Sequence, residues 1–243
     1  SGSWTGARSV NGNNDLSLSN SDFNIPNRIV GLLGYKIEYG GEYGGTTSFS
    51  IGYIGSQNGA YSYTISGDMN GDRIANNELI FIPKAGTDIK FAPLVVGTTT
   101  YTEAQQQAAF DAYIKQDKYL SANRGQYAAR NASVLPMLHR FDLSVVQEFF
   151  VKVKGKRNTL QFRADILNFG NMLNDSWGVS QRVTNPQVLA FSSVNTAGEP
   201  VYKLATQKNV DGSTTLIKDT YQYNSSVFDV WQAQIGLRYI FGR

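Results

Sequence analysis

The segment 231–241 alternates apolar and polar residues almost to the end of the chain. Its apolar positions share one parity: Trp231, Ala233, Ile235, Leu237, Tyr239 and Phe241. A period of two is the spacing of a β-strand, in which successive side chains point to opposite faces. In a soluble sandwich the apolar face would lie in the core, whereas in a membrane barrel it would contact lipid and the polar face would line the lumen. The pattern therefore predicts a strand over 230–241 and leaves these two settings open.

The same alternation recurs earlier in the chain. It predicts strands at about 28–39, 47–65, 139–153 and 159–169, with a shorter stub at 4–8. Each of the four long segments can supply the roughly 9 to 11 residues that a tilted strand needs to cross a bilayer. The 24 glycines, the 14 tyrosines and the charged fraction of only 17% agree with strands joined by polar loops. We therefore expect an all-β fold.

Several other classes of protein are excluded by composition. The longest apolar run, 145–153, contains Gln147, Glu148 and Lys152 and is far shorter than the roughly 20 residues of a membrane helix. The lack of cysteine excludes disulfides, thiolate metal sites and cysteine nucleophiles. The net charge of +3 is too small for a nucleic-acid interface, so no nucleic acid is expected as a partner. No signal peptide is visible, so the chain begins either at a mature N-terminus or, as we expect, where the front of a longer chain is missing.

The expected connections alternate between short and long. Tight turns are predicted at 40–45 and 154–158, and long loops at 9–27, 67–137 and 171–229. Short turns on one side and long loops on the other are typical of outer-membrane barrels. In that layout the turns and the C-terminus are periplasmic, and the long loops are extracellular.

Aromatic residues favour the same orientation, because we expect them near the periplasmic ends of their strands, where they would form one interfacial girdle. The residues assigned to this girdle are Tyr35, Tyr39, Phe49, Tyr53, Phe149, Phe162, Tyr239 and Phe241. The alternative is that aromatic residues favour strands anywhere. Five strands cannot close a single-chain barrel around loops of this length, so the chain is predicted to be the C-terminal segment of a larger barrel.

The long loops also carry signals of local structure. Thr102 to Gln105 match a capping box, and they predict a short helix whose apolar stripe packs the loop onto itself. The stripe is Ala109, Phe110, Tyr113 and Ile114. In the last loop, strand-like runs at 188–194 and 214–223, with turn signals at 197–198 and 211–212, predict a hairpin.

One acidic loop has the spacing of a calcium site. Asp68, Asn70 and Asp72 occupy positions one, three and five of an EF-hand-like loop, where alternate oxygens can point at one cation. Arg73 stands where such a loop has glycine, and Glu78 stands at position eleven instead of twelve. Asp, Asn and Gly also form ordinary turns. A calcium site and a plain turn therefore both remain open.

No catalytic site is predicted. His139 is the only histidine, and it has neither a serine elbow nor a cysteine nucleophile to serve, so we expect it at the rim of a strand. Glu148 and Asp165 are expected to face the lumen beside Arg140 and Arg163 as ion pairs, because facing lipid would cost charged groups a few kcal/mol. We therefore expect no enzyme activity and no organic cofactor.

Motifs spread over almost the whole chain resemble the C-terminal region of TonB-dependent outer-membrane receptors of Bacteroidetes type, in particular the Oar-like branch, which is related to SusC. The motifs lie at 21–28 (SDFNIPNR), 67–72 (GDMNGD), 77–83 (NELIFIP), 119–125 (YLSANRG), 130–131 (RN), 165–174 (DILNFGNMLN) and 177–178 (WG), together with the closing strand. The resemblance implies a barrel of about 22 strands whose lumen is filled by an N-terminal plug. Neither the plug nor a TonB box lies in these 243 residues.

This resemblance also implies a function. Such a receptor takes up a large nutrient ligand, such as an oligosaccharide or a peptide, across the outer membrane, with energy delivered by the TonB complex through the plug. Its other expected partners are outer-membrane lipid, the N-terminal part of the same barrel and, in the carbohydrate-uptake branch, a surface lipoprotein. The closing strand, with Trp231, Ile235, Leu237, Tyr239 and Phe241, would be read by the barrel-assembly machinery, although Gly242 and Arg243 follow the aromatic residue. The alternatives are a barrel that binds surfaces without transport and, ranked last, a soluble β-rich hydrolase or lectin, which would leave the order of short and long loops unexplained.

Overall fold

A computed structural model of the chain describes residues 6–57 and 59–241. Strands make up 47% of it and helices 11%, so the fold is mostly β. The strands are β1 Arg28–Gly40, β2 Tyr43–Gln57, β3 Ala60–Tyr61, β4 Ile65–Ser66, β5 Phe81–Ile82, β6 Lys90–Phe91, β7 Leu94–Val96, β8 Thr99–Tyr101, β9 Gln126–Tyr127, β10 Ser133–Val134, β11 Met137–Val153, β12 Lys156–Leu167, β13 Gln181–Val183, β14 Leu189–Val194, β15 Pro200–Leu204, β16 Thr206–Lys208, β17 Thr214–Leu216, β18 Tyr221–Tyr223 and β19 Gln232–Ile240.

The helices are α1 Glu103–Gln116, α2 Lys118–Ala122 and α3 Phe169–Leu173, with a 3-10 turn at Gly86–Asp88. None of the helices in the described part of the chain has the length and apolar character needed to span a membrane. Residues 4 and 5 of the stub expected at 4–8 lie outside the described residues, and residues 6–8 are not in a strand.

The chain forms two compact units. The sheet unit comprises Ile25–Asn58, Pro136–Gln181 and Tyr223–Arg243, and the core unit comprises Ser1–Asn24, Gly59–Leu135 and Arg182–Gln222. Each unit is therefore assembled from three separate stretches of sequence.

The sheet unit contains one antiparallel sheet with the strand order β1-β2-β11-β12-β19. Two tight turns connect its strands at one end, and each has the backbone that such a turn requires. Lys154 and Gly155 both have positive φ (51° and 76°), the combination that matches the twist of a two-residue hairpin. A Cβ on Gly40 (φ 97°) would lie 2.2 Å from the Tyr43 carbonyl oxygen, so the first turn excludes any side chain there.

The second strand differs from its predicted range of 47–65. It begins at Tyr43 and ends at Gln57, and the chain bends at Gly59, which has a φ of 92°. Tyr63 and Ile65 keep the parity of the strand but are fully buried in the core unit, where β4 pairs with β14. The predicted range is therefore wrong, because alternation continues across a bend that the sequence pattern does not show.

The core unit has its own hydrophobic core. Its buried members include Tyr63, Ile65, Ile80, Ile82, Phe91, Phe110, Tyr113, Ile114, Leu120, Leu189, Leu204 and Ile217. Apart from Tyr63 and Ile65, they come from the two segments that were expected to be long loops, 67–137 and 171–229. Those segments therefore fold into packed structure rather than into open loops.

Short elements build this core. The predicted capping box is present, since the Gln105 amide donates to the Thr102 hydroxyl and the Thr102 amide donates to the Gln105 side chain. Helix α1 buries Phe110, Tyr113 and Ile114, as its stripe predicts. The strands β14 and β15 lie between β4 and β6 in a four-stranded sheet. The sequence predicted a single hairpin in 188–223, but the structure has two, β14-β15 and β16-β17. Each of the two turn signals joins the strands directly before and after it.

Candidate functional sites on the sheet and in the acidic loop

The register of the sheet aligns apolar residues of all five strands on one side, which we call the apolar face. Four consecutive rows of cross-strand partners define it, starting at Leu33, Tyr35, Ile37 and Tyr39 of β1. The rows are Leu33–Ile51–Leu143–Ile166–Ala233, Tyr35–Phe49–Val145–Ala164–Ile235, Ile37–Thr47–Gln147–Phe162–Leu237 and Tyr39–Gly45–Phe149–Leu160–Tyr239. Only Thr47 and Gln147 in these rows carry a polar side chain without an aromatic ring.

No other part of the sheet unit that the structure describes covers the apolar face. Leu33 is 73% exposed, Tyr35 68%, Ile235 84% and Leu237 67%. A contiguous apolar surface of this kind marks contact with another apolar phase or partner, whereas single exposed apolar residues need no explanation.

The two polar side chains in the apolar face, those of Thr47 and Gln147, are hydrogen-bonded to each other. The Thr47 hydroxyl donates to Gln147 Oε1 at 2.6 Å, and Gln147 Nε2 donates to the Tyr39 hydroxyl at 2.5 Å. A buried or lipid-facing polar group costs free energy unless it is paired. This arrangement therefore keeps the face compatible with an apolar environment.

Aromatic residues lie at both ends of the apolar face. Tyr39, Phe149 and Tyr239 lie at the end with the tight turns, and Phe149 packs edge-on against Phe162. Tyr53 lies at the opposite end, beside Phe141 with ring centroids 4.9 Å apart. The placement of Tyr53 in a single periplasmic girdle is therefore wrong, because β2 runs away from its tight turn and carries Tyr53 to the far end.

His139 belongs to this far end. Its Nδ1 lies 2.8 Å from the Tyr53 hydroxyl, and its ring stacks on that of Tyr53. A cavity of about 410 Å³ opens beside it, lined mainly by apolar and aromatic groups that include Phe141, Trp177 and Tyr223. These rings form a second aromatic border of the sheet.

The opposite face of the sheet carries its charged groups, although Leu32, Val146 and Phe150 also lie on it. Arg163 pairs with Asp165 at 2.7 Å, Arg157 with Glu148 at 3.6 Å, and Lys36 with Glu38. Gln161 Nε2 also donates to Glu148 at 2.8 Å. Glu148 and Asp165 thus find cations on this face, although Arg157 rather than Arg140 is the partner of Glu148. The sheet therefore separates an apolar side from a charged side.

The closing strand β19 also presents its apolar residues on the apolar face. It starts at Gln232 rather than at residue 230, and Trp231, Ile235, Leu237, Tyr239 and Phe241 are all exposed. The Tyr239 hydroxyl donates to Asn158 Oδ1 at 3.1 Å, and its ring stacks on Phe241. The backbone amide of Trp231 donates to Asn171 Oδ1, which fixes the start of the strand.

The acidic loop of the core unit brings three carboxylates together. One oxygen from each of Asp68, Asp72 and Glu78 lies within 4.8 Å of the other two. Asp68 accepts the backbone amides of Gly71 and Arg73, which curls the loop around its side chain. Asn70 is engaged differently, since its Oδ1 accepts the Asp72 amide and its Nδ2 donates to Asp72 Oδ2.

In the sequence, Glu78 stands at position eleven of the EF-hand-like loop, one position before the acidic ligand expected there. In the structure its Oε1 accepts the backbone amides of Met69 (3.0 Å) and Asn70 (3.4 Å), so the side chain reaches back beneath the loop. The bulge produced by positive φ at Arg73 and Asn76 makes this return possible.

Comparison of the chain with known protein families, with curated proteins and with solved structures gave no match.

Proposed function

We propose that the sheet unit is part of the wall of an outer-membrane β-barrel, and that the chain is the C-terminal barrel segment of a TonB-dependent receptor. The observation that carries the proposal is the register that places apolar residues of five strands on one face and charged residues on the other. Lipid would contact the apolar face and the polar face would line the lumen, as in outer-membrane barrels generally.

The distance between the two aromatic borders supports a membrane-spanning height. From Phe141 to Phe149, β11 rises about 27 Å at the usual rise per residue. A strand tilt of about 40° reduces this to a height of about 20 Å, which the rings at both ends extend. The result is close to the roughly 25 Å apolar band between the aromatic girdles of outer-membrane barrels.

The edges of the sheet support a larger barrel. Among the residues that the structure describes, β1 and β19 each have a strand partner on one side only. Unpaired backbone groups are too costly in hydrocarbon, so a sheet in lipid has to close on itself. Additional strands of the same receptor, which would lie between β19 and β1, are therefore the expected partners of both edges.

The receptor role rests on the sequence motifs together with the layout of the connections. Both tight turns lie at one end of the sheet, and the chain leaves the other end for its long connections after Gln57 and Leu167. In this proposal the turns and the C-terminus are periplasmic, the plug and the TonB complex act on the lumen side, and a large ligand such as an oligosaccharide or a peptide is taken up.

Nitroxide spin labels test the membrane part of the proposal, because the chain has no cysteine that would have to be removed first. Single cysteines at Ile235 and Leu237 report on the apolar face, and those at Gln234 and Arg238 report on the polar face. In lipid vesicles we expect labels at 235 and 237 to collide with oxygen but not with a water-soluble nickel complex. Labels at 234 and 238 should show the reverse preference.

A cysteine at Val210, a fully exposed residue of the core unit, is the control for a label in water. Equal access of the nickel complex to all four sheet positions would overturn the membrane assignment. The receptor role is tested separately in cells: loss of the chain should abolish energy-dependent uptake of a large ligand while diffusion of small solutes continues.

A further inference from the structure

The acidic loop concentrates negative charge without a basic partner. Asp68, Asp72 and Glu78 form no ion pair with a lysine or arginine among the described residues. Like charges at such short separation repel one another, and the repulsion increases where water is excluded. Glu78 is only 1% exposed, so solvent does little to offset it.

One oxygen of Glu78 has no donor. Its Oε1 is bonded to the loop amides, but its Oε2 is buried and has no hydrogen-bond partner in the described part of the chain. Buried polar atoms are nearly always satisfied, and an orphan carboxylate oxygen calls for a cation or another ligand. This observation is independent of the clustering of the three carboxylates.

A second orphan group lies beside the loop. Asn13 is 7% exposed, and neither its Oδ1 nor its Nδ2 has a hydrogen-bond partner among the described residues. It lines a cavity of about 350 Å³ together with Asn70 and Asp72. A Cβ on the neighbouring Gly12 would lie 3.9 Å from Asp72 Oδ2, which shows how closely the segment 11–14 approaches the loop.

Backbone hydrogen bonds hold the two segments side by side. The Ser9 amide donates to the Asn77 carbonyl oxygen, and the Leu79 amide donates to the Ser9 carbonyl oxygen. The segment that carries Asn13 is thereby attached to the residues that flank Glu78. Both orphan groups thus belong to one small region of the core unit.

We propose that this region binds one calcium ion, held by a carboxylate oxygen from each of Asp68, Asp72 and Glu78 and by the amide oxygen of Asn13. Oxygens on opposite sides of a calcium ion lie about 4.8 Å apart, since each is bound at about 2.4 Å, and the three carboxylates fall within that limit. An all-oxygen set that includes an amide suits calcium, whereas zinc prefers nitrogen and sulfur ligands.

Magnesium fits less well. It demands a near-ideal octahedron at about 2.1 Å and usually keeps several waters, so it is seldom held in a cage of protein oxygens.

The calcium ion would tie the segment 9–15 to the loop 68–78, two stretches that are distant in sequence. Calcium would therefore order the first part of the core unit, independently of whether the sheet unit lies in a membrane.

The test is a calorimetric titration of the full chain, after treatment with a chelator, with calcium chloride and with magnesium chloride. We expect saturable calcium binding that Asp72→Asn weakens at least tenfold, and much weaker binding of magnesium. Asp72 is exposed, so its substitution does not threaten folding as that of buried Glu78 would. Glu199→Gln, which removes an exposed carboxylate elsewhere in the core unit, should leave the affinity unchanged.

The role of Asn13 has its own readout. Calcium should slow amide hydrogen exchange in residues 9–15 of the original protein, and Asn13→Ala should lower the affinity while leaving the fold intact. No heat of binding with millimolar calcium, or equal affinities of the original protein and Asp72→Asn, would overturn the site. Normal affinity in Asn13→Ala would overturn the participation of Asn13.

Discussion

The same apolar residue types are buried in one unit and exposed in the other. In the core unit Ile80, Ile82 and Phe110 are completely buried, whereas in the sheet unit Leu33 and Ile235 are mostly exposed. The core unit thus obtains its stability in the ordinary way, by removing apolar surface from water. The sheet unit is built on a single sheet whose apolar face stays exposed. The difference indicates that the two units are built for different surroundings.

Polar groups show the complementary difference. In the core unit the buried Asp117 accepts hydrogen bonds from the Tyr63 and Thr220 hydroxyls and from the Leu120 amide. Burial raises the pKa of Tyr63 and Tyr113 well above the ordinary value of a phenol, so both stay neutral. In the sheet unit the charged groups instead line one exposed face. Polar groups are thus enclosed in one unit and segregated in the other.

The largest expected effect is on the core unit. Phe110→Ala removes a fully buried ring that packs edge-on against Phe91, and it should destabilise the core unit by about 3 to 5 kcal/mol. Hydrogen exchange should become faster in 79–82 and 103–116 but not in 143–151. Phe81→Ala is the matched control, because that ring is 37% exposed, and its effect should be clearly smaller. An equal loss of protection in β11 would mean that the units unfold together.

A charge in the apolar face tests the sheet unit. Ile51→Arg places a guanidinium between Leu33 and Leu143, and in lipid vesicles it should cost about 2 to 4 kcal/mol of unfolding free energy. Ser50→Arg puts the same group one residue away on the polar face and should cost little. Urea titration of both variants in vesicles measures the difference. Equal stabilities would show that the apolar face is in contact with water.

Substitutions of two glycines test how rigid the residues around Asn168 are. Gly178 and Gly155 both have positive φ, so alanine at either position costs about 1 to 2 kcal/mol for the left-handed backbone. A Cβ on Gly178 would also lie 1.8 Å from Oδ1 of the buried Asn168, whereas one on Gly155 would meet nothing within 4 Å. Gly178→Ala should therefore be less stable than Gly155→Ala by about 1 to 3 kcal/mol.

Equal stability of these two glycine variants would show that the residues around Asn168 can shift. In the structure these residues are held in place because Asn168 Nδ2 donates hydrogen bonds to the Gly178 and Asp229 carbonyl oxygens. Such a shift would make this end of the sheet unit softer than the tightly packed core unit.

The period of two was sufficient to predict the strands of the sheet unit, because each is long and changes face at every residue. It was not sufficient at Tyr63 and Ile65, where the parity continues although the chain has already turned at Gly59. Apart from the helix and the runs at 188–194 and 214–223, the core unit was read as loops, because most of its strands are only two or three residues long, too short for a period to be recognised. Apolar runs such as 79–82 were the signal that a core was present.

The candidate metal site shows a similar limit. The spacing of Asp68 and Asp72 predicted that their carboxylates approach each other, because local turns bring positions one and five together. Glu78 joins them only because the chain bulges at Arg73 and Asn76, which no fixed spacing describes. Asn13 comes from a segment far away in the sequence, and only the tertiary structure brings it near.

The smallest expected effect concerns an ion pair on the surface of the core unit. Lys115 and Arg124 hold the pKa of Asp111 below its usual range, and the Arg124 guanidinium also donates to the carbonyl oxygens of Pro83 and Lys84. Because the folded pKa is depressed, the stabilisation is present above the ordinary pKa near 3.8 and is lost as the pH falls through the folded value.

Asp111→Asn should therefore cost about 1 kcal/mol at pH 7 and nothing once the pH has fallen below the folded pKa. The stabilities of the original protein and the variant, measured by urea titration with hydrogen exchange in 103–116 as the probe, should converge as the pH approaches 2. Parallel pH profiles would show that the pair contributes nothing. A loss of stability at low pH that appears only in the core unit would instead strengthen the comparison, since the two units would then respond to pH separately.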